Sequence, residues 1–302
     1  MNITVVITTR NEQENIGACL ESIFEQRIDV SGVQVIVVDN YSDDLTEQYA
    51  RQFPCEFYQY GPERNAQRNY GLIEKSSGEI LVWIDADMLL HPHLFSEIVR
   101  EFKSDPEVVA LYVPEVILGD SLFSQIRRFE RSFYDATPVD GVRAIRAMDF
   151  KAVGGFDQTW MHGPDDWDLD LKLQNRGGFG YVQATVFDKR FSDRISAICS
   201  SDCESDRVGI YHNESKLSLS KHLRKKIHYS ADFEGYLRKW KGHPNLKKQV
   251  GLFYRFFQVF FENGKWKKVV RAPHLYLGFL SVKTVVGFCF VINRRLRWGL
   301  VR

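Results

Sequence analysis

The stretch Gly78-Glu79-Ile80-Leu81-Val82-Trp83-Ile84-Asp85-Ala86-Asp87 is an apolar run of strand length that stops at two carboxylates one residue apart. Side chains two apart on a strand point to the same side, so Asp85 and Asp87 can face one cation across Ala86. Hard oxygen ligands suit Mg²⁺ or Mn²⁺, ions that keep positions open for water and for the phosphates of a nucleotide. The same acids also allow a plainer reading, in which Asp85 closes a turn and Asp87 caps the helix after Pro92.

Around this run, strand-like and helix-like stretches alternate, the pattern of parallel βαβ units. Strands are expected at residues 3–9, 34–39, 55–58, 80–84 and 108–113. Between them, Ile16, Leu20, Ile23 and Phe24 repeat at helical spacing after the polar start Asn11-Glu12-Gln13-Glu14, whose acids would lie in the first turn. Pro92 at an early helix position, followed by Leu94, Ile98, Val99 and Phe102, marks another amphipathic helix. Ligands of open α/β sheets bind beyond the carboxyl ends of the strands, which places Thr8, Thr9, Arg10, Asp39, Asn40, Asp85 and Asp87 on one rim. There Asp39 could accept from a ribose hydroxyl or a base N–H, and Thr8 and Arg10 could touch base and ribose. Arg64 and Arg68 stand one helical turn apart and could reach a phosphate; otherwise they form a solvated helix face.

A second acidic group follows Gly154-Gly155-Phe156-Asp157, in Asp165-Asp166-Trp167-Asp168-Leu169-Asp170. The glycine stop at Gly177 favours a helix here over a strand. Acids in its first turn are stabilised by the macrodipole, and one of them could serve as a general base toward an attacking hydroxyl.

The 302 residues, 44% hydrophobic and 26% charged, suffice for one large domain with an appendage and exclude a disordered chain. The net charge of +1 conceals an asymmetry, acids gathering in the first part and Lys and Arg in the last, which points to an anionic partner for the tail. Nucleic acid is not among the expected partners. Cys19, Cys55, Cys199, Cys203 and Cys289 lack metal-ligand spacing and read as ordinary thiols of a reducing compartment. The N-terminus opens on a strand pattern, with no secretory leader expected.

Beyond about residue 215 the pattern changes. Leu217, Leu219, Leu223 and Ile227 lie among basic residues, and Phe253, Phe256, Phe257, Phe260 and Phe261 recur at helical spacing. Basic helices with bulky apolar faces suit an anionic membrane surface; the alternative is packing on the first domain. Residues 275–292 are mostly apolar, but Lys283 near the middle disfavours a span. The expectation is of helices lying in the interface on the cytoplasmic face of the cell membrane, with Arg294, Arg295 and Arg297 on the headgroups. The chain accordingly divides into residues 1–215 and a basic, aromatic helical region over 216–302.

Taken in order, Thr9-Arg10-Asn11-Glu12, Val37-Val38-Asp39-Asn40-Tyr41-Ser42-Asp43, Arg64 with Arg68-Asn69-Tyr70-Gly71, Asp85-Ala86-Asp87, Gly154-Gly155-Phe156-Asp157 and Asp165-Asp166 resemble the family 2 inverting glycosyltransferases of GT-A fold, over residues 1–215. The resemblance implies a Rossmann-like, mostly parallel sheet flanked by helices, a nucleotide-sugar donor, Mn²⁺ or Mg²⁺, and a single displacement that inverts the anomeric centre. It implies donor contacts from Thr8, Thr9, Arg10, Glu12, Asp39, Arg64, Arg68, Asp85 and Ala86, with metal contacts from Asp85, Asp87 and His212. The family usually has Glu-Asp where this chain has Asp165-Asp166, which makes Asp166 the base and Asp165 its reserve. A UDP-sugar is expected ahead of a GDP-sugar, and a glycan or polyprenyl-linked saccharide as acceptor. Three rivals remain: a sugar-phosphate nucleotidyltransferase, whose glycine-rich loop is missing after the first strand; a processive polysaccharide synthase, whose Gln-x-x-Arg-Trp motif is missing; and a non-catalytic binding module.

Overall fold

Ile, Val and Thr run unbroken from Ile3 to Thr9, and β-branched side chains favour a pleated, packed backbone. In the computed structural model this segment is β1 (Ile3–Thr9), buried at every position. The structure describes residues 1–28, 32–159, 163–201, 203–229 and 233–299, with the backbone alone over 227–229 and 289–299. The further strands are β2 (Val33–Asp39), β3 (Glu56–Gln59), β4 (Ile80–Asp85), β5 (Met88–Leu90), β6 (Val108–Tyr112), β7 (Glu115–Leu118), β8 (Val142–Arg146), β9 (Gly178–Tyr181) and β10 (Ile210–Asn213). Seven of them form one sheet in the order β3-β2-β1-β4-β8-β6-β9. Its pairings are parallel except where β8 runs against β4 and β6. A second sheet has the order β5-β10-β7.

Both faces of the main sheet are covered. Ile3, Val5, Ile7, Val82 and Ile84 enter one apolar cluster and Val6, Leu81 and Trp83 the other, the period-two division of a strand buried on both sides. The five expected strands form, each end within a residue of its observed position. The five unforeseen strands include all three of the second sheet. The helix expected after Asn11 begins later, at Ile16–Phe24, with no acid in its first turn. Asn11 adopts a left-handed conformation (φ 55°), and Glu12 accepts from Asn15 (2.7 Å) rather than facing the helix dipole. Pro92 precedes the helix Leu94–Ser104 by two residues rather than entering it.

The last part of the chain packs on the first. The helix Pro273–Gly299 lies against Leu122–Arg131, and Phe129, Phe133, Tyr254, Phe260 and Phe279 share a core. Gly278 permits the approach, since a Cβ there would stand 2.5 Å from Ile126 Cδ1. Lys283, the charge that disfavours a span, lies inside the protein, its Nζ 2.6 Å from Glu130 Oε1, which also accepts from the Tyr134 hydroxyl at 2.8 Å. No helix among the described residues is long and apolar enough to cross a membrane. The helix Phe233–Lys239 is tied in the same way, because Lys239 and the following Trp240 reach Asp168 Oδ1 at 2.7 and 2.8 Å.

Burial alone would raise Glu130, but Lys283 and Arg127 hold it below its ordinary 4.5. A carboxylate depressed in the folded state contributes stability that is present above its unfolded pKa and lost as pH falls through the folded value. Resistance to urea unfolding should therefore fall below about pH 4.5. Glu130→Gln should remove part of that acid limb and roughly 3 kcal/mol at neutral pH; a parallel acid limb in the variant would reject this assignment.

Cys199 and Cys203, expected as ordinary thiols, are paired as a disulfide after the helix Lys189–Ile198. Arg302 lies outside the described residues, and the side chains of Ile227, Cys289, Arg294, Arg295 and Arg297 lie outside those described.

Candidate active site

The carboxyl ends of β1, β2 and β4 line up in register, Thr8 beside Asp85 and Thr9 beside Asp39. Thr8 donates to Asp85 Oδ1 at 3.0 Å. The two acids of the opening motif are not successive same-side strand residues as expected: β4 ends at Asp85, and Ala86 and Asp87 form the turn into β5. The turn, rather than the pleat, delivers Asp87 to the rim. There its Oδ2 lies 3.1 Å from His212 Nε2 on β10, a strand of the second sheet that no local pattern placed. The register sets His212 opposite Met88 on β5 and Ile117 on β7.

Arg64 and Arg68 belong to the helix Arg64–Asn69, and Arg68 is 1% exposed, so the solvated-face reading fails. Its Nη2 reaches Asp85 Oδ1 at 3.3 Å, and its Nη1 reaches Asp165 Oδ2 and Asp166 Oδ1, both at 3.2 Å. Arg64 adds a contact of 3.0 Å to Asp165 Oδ2. Two acidic groups some 80 residues apart in sequence are thus joined through a single guanidinium. Burial would raise Asp85, but Arg68, Arg64, Arg143 and His212 hold it well below the usual carboxylate range. Asp165 is raised by burial and by the charge of Asp166, against the pull of Arg64 and Arg68.

The helix Asp165–Leu173 sorts its acids by direction. Asp165 is buried on the arginines. Asp168 is buried beneath Trp240 and Lys239, and Asp170 accepts from the Val142 amide and the Tyr112 hydroxyl. Asp166 alone of the four is partly open, its side chain 30% exposed. It sits against Gly141, where a Cβ would come within 2.9 Å of its own Cβ. The Gly154-Gly155 turn holds positive φ of 74° and 65°, and Asn69 clamps it by accepting from the Phe156 amide (2.9 Å) and donating to the Phe156 carbonyl (2.8 Å). Phe156 then supports Arg68, whose Cζ lies 5.1 Å from the ring centroid.

The other expected donor contacts are placed less uniformly. Arg10 is exposed, Ala86 is buried, and Thr9 is buried with Oγ1 unpartnered among the described residues. Asp39 is fully buried, both oxygens taken by Ser42 at 2.5 and 2.8 Å; in this arrangement it shapes the loop. Glu12 faces the strand-end acids, burial and the charges of Asp87 and Asp85 raising it against the lowering hydrogen bond from Asn15.

Glu115 and Arg143 were missed. Glu115 Oε1 lies 3.2 Å from His212 Nδ1, and its Oε2 lies 3.2 Å from Arg143 Nη2. A carboxylate on the far nitrogen of an imidazole fixes the ring and its tautomer. Although burial favours a neutral ring, Asp87 and Glu115 together raise His212 well above its ordinary 6.5. The available signal was an acid inside the apolar run Val113-Pro114-Glu115-Val116-Ile117-Leu118, since a lone acid in a buried strand needs a partner. Arg143 carries no comparable signal.

As to a metal, no three His, Cys, Asp or Glu side chains among the described residues converge into a closed site. The residues present nonetheless fit a cation that would be completed by ligand and water, because Asp87 Oδ1 is a buried carboxylate oxygen without a partner among the described residues and His212 Nε2 lies beside its twin.

Residues 4–153 match the family model described as glycosyl transferase family 2. The glycosyltransferase AglE of Haloferax volcanii is 40% identical over 98 residues, 30% of this chain and 31% of that protein. The minor teichoic acid biosynthesis protein GgaB of Bacillus subtilis is 26% identical over 121 residues, 36% of this chain and 13% of that one. The chain thus spans less than a third of the length of these two relatives. Among solved structures, the mannosyltransferase PcManGT from Pyrobaculum calidifontis, in complex with GDP-Man and Mn²⁺, has a TM-score of 0.58 at 18% identity, over 98% of this chain and 86% of that one. S. aureus TarS 1–349 with UDP-GlcNAc has a TM-score of 0.52 at 17% identity, over 93% and 80% of the two chains. The shared feature is the GT-A-like α/β fold, with its mostly parallel central sheet flanked by helices.

Proposed function

Because the chain belongs to glycosyl transferase family 2, we propose that it transfers a sugar, with inversion, from a nucleoside-diphosphate donor to a hydroxyl of a glycan or polyprenyl-linked saccharide. The observation that carries this reading is the Arg68 bridge, which sets Asp85 at the strand end and Asp166 at the helix start on one guanidinium.

Asp87 and His212 would hold a divalent ion, Mn²⁺ or Mg²⁺, with Asp85 beside them directly or through water. Bound there, such an ion supplies Lewis-acid stabilisation of the departing diphosphate. Arg64 and Arg68 add fixed positive charge where negative charge develops. Asp166, the open acid, accepts the proton of the acceptor hydroxyl as its oxygen attacks the anomeric carbon. The bond from that carbon to the diphosphate oxygen breaks, and the nucleoside diphosphate leaves with the electron pair. Asp165 anchors the two arginines. Glu115 holds the His212 ring so that Nε2 is presented toward Asp87.

The test is a thermal-shift screen of UDP- and GDP-sugars with Mn²⁺, UDP-sugars first. A donor at about a hundred times its Kd should stabilise the folded chain by about 2.7 kcal/mol. Asp87→Ala should abolish both the Mn²⁺-dependent part of that shift and metal-dependent transfer. A Mn²⁺-dependent shift of unchanged size in Asp87→Ala would remove Asp87 from the metal site, and absence of donor hydrolysis or transfer with any nucleotide sugar would favour a binding module without catalysis.

A further inference from the structure

Between residues 241 and 288 the sole acid is Glu262, and it is internally engaged, accepting from the Tyr254 hydroxyl at 2.9 Å and lying 3.6 Å from Lys265. The aromatic residues of this region divide sharply by direction. Tyr254, Phe260 and Phe279 are buried in the core shared with Phe129 and Phe133. Phe253, Phe257 and Phe261, spaced four residues apart, point the other way, Phe253 at 72% exposure and the other two at 50% each. Leu252 at 75% and Trp266 at 47% extend the same exposed set. A run of large exposed apolar side chains on a folded chain marks an interaction surface.

The cations divide too. Lys265 and Lys268 donate inward to the carbonyls of Phe133 and Ser132, and Lys283 pairs with Glu130. Lys241, Lys247, Lys248, Lys267 and Arg271 remain exposed. The outer surface of this region therefore combines protruding Phe, Leu and Trp with positive charge and offers no exposed acid between 241 and 288. We infer that this surface, with Phe253, Phe257, Phe261, Leu252 and Trp266 inserted and Lys247, Lys248, Lys267 and Arg271 among the headgroups, seats the folded chain on an anionic lipid bilayer. A hydrated protein partner would need matching acids and an apolar groove, whereas an anionic bilayer supplies both kinds of contact without shape complementarity. Trp is favoured at the level of the headgroups. The docking works without a span, because the long helix keeps Lys283 paired inside the protein.

The experiment is vesicle flotation of the full chain with phosphatidylcholine alone or with added phosphatidylglycerol. Retention should require the anionic lipid. Lys247→Gln and Lys248→Gln should each weaken it by about fivefold, and the triple change Phe253→Ser, Phe257→Ser, Phe261→Ser by about tenfold or more. Trp266 fluorescence, read as the difference between the parent and Trp266→Phe, should shift to the blue on anionic vesicles. Equal retention of the triple variant, or no retention of the parent, overturns the proposal. So does a parent that self-associates by light scattering through this surface while ignoring vesicles. The response to nucleotide sugar and Mn²⁺ is measured on the same variants and should be unchanged, so loss of docking is distinguishable from failure of the catalytic reading.

Discussion

Asp166→Asn is expected to lower turnover by about 10²–10⁴-fold while donor binding is retained. The side chain keeps its shape and its contact with Arg68 but can no longer accept the proton of the incoming hydroxyl. Its three acidic neighbours cannot substitute: Asp165 is buried on Arg64 and Arg68, Asp168 on Lys239 and Trp240, and Asp170 on the Val142 amide and Tyr112. A donor titration alongside initial rates separates the two effects. Near-parental turnover in Asp166→Asn would reject the assigned base, while lost donor binding would make Asp166 a positioning residue.

Arg68→Met should destabilise the chain by about 3–5 kcal/mol. The parent residue is almost fully buried and serves Asp85, Asp165 and Asp166 at once. Removing it strands buried negative charge, and an uncompensated buried charge costs more than the pair contributed. Arg64→Met is the internal control: Arg64 is 34% exposed, so its loss should cost about 1 kcal/mol. Arg68→Lys should not restore the parent, because one ammonium cannot span carboxylates that a planar fork reaches on two sides. Urea unfolding of the three variants decides the matter; equal losses in Arg68→Met and Arg64→Met would mean that the bridge does not hold the two acid groups together. The penalty in Arg68→Met should shrink in acid, where protonation discharges the stranded carboxylates.

What could be read in advance follows from how local the signal is. β1 and β4 were legible because an unbroken β-branched or apolar run has few alternatives, and the helix Asp165–Leu173 because its acids and its glycine stop agree. The second sheet was not legible, since β5 and β10 are short and carry no alternation long enough to exceed chance. Arg68 was legible as a cation near the site, yet its bridging role depends on where helix Arg64–Asn69 lies above the sheet. Lys283 was likewise legible as a charge that an apolar run could not carry across a bilayer, but its partner Glu130, 153 positions earlier in the chain, was not.

By itself the sequence determined the alternating α/β pattern, the rim where strands end in polar residues and the order of motifs, because these rest on side-chain period and on residues adjacent in the chain. Tertiary structure decided that Asp166 rather than Asp165, Asp168 or Asp170 opens outward, that His212 meets Asp87 with Glu115 behind it, and which phenylalanines face the core. Those outcomes depend on contacts between residues more than 120 positions apart, and no local pattern encodes the direction in which a helix face or a strand end is presented to a distant partner.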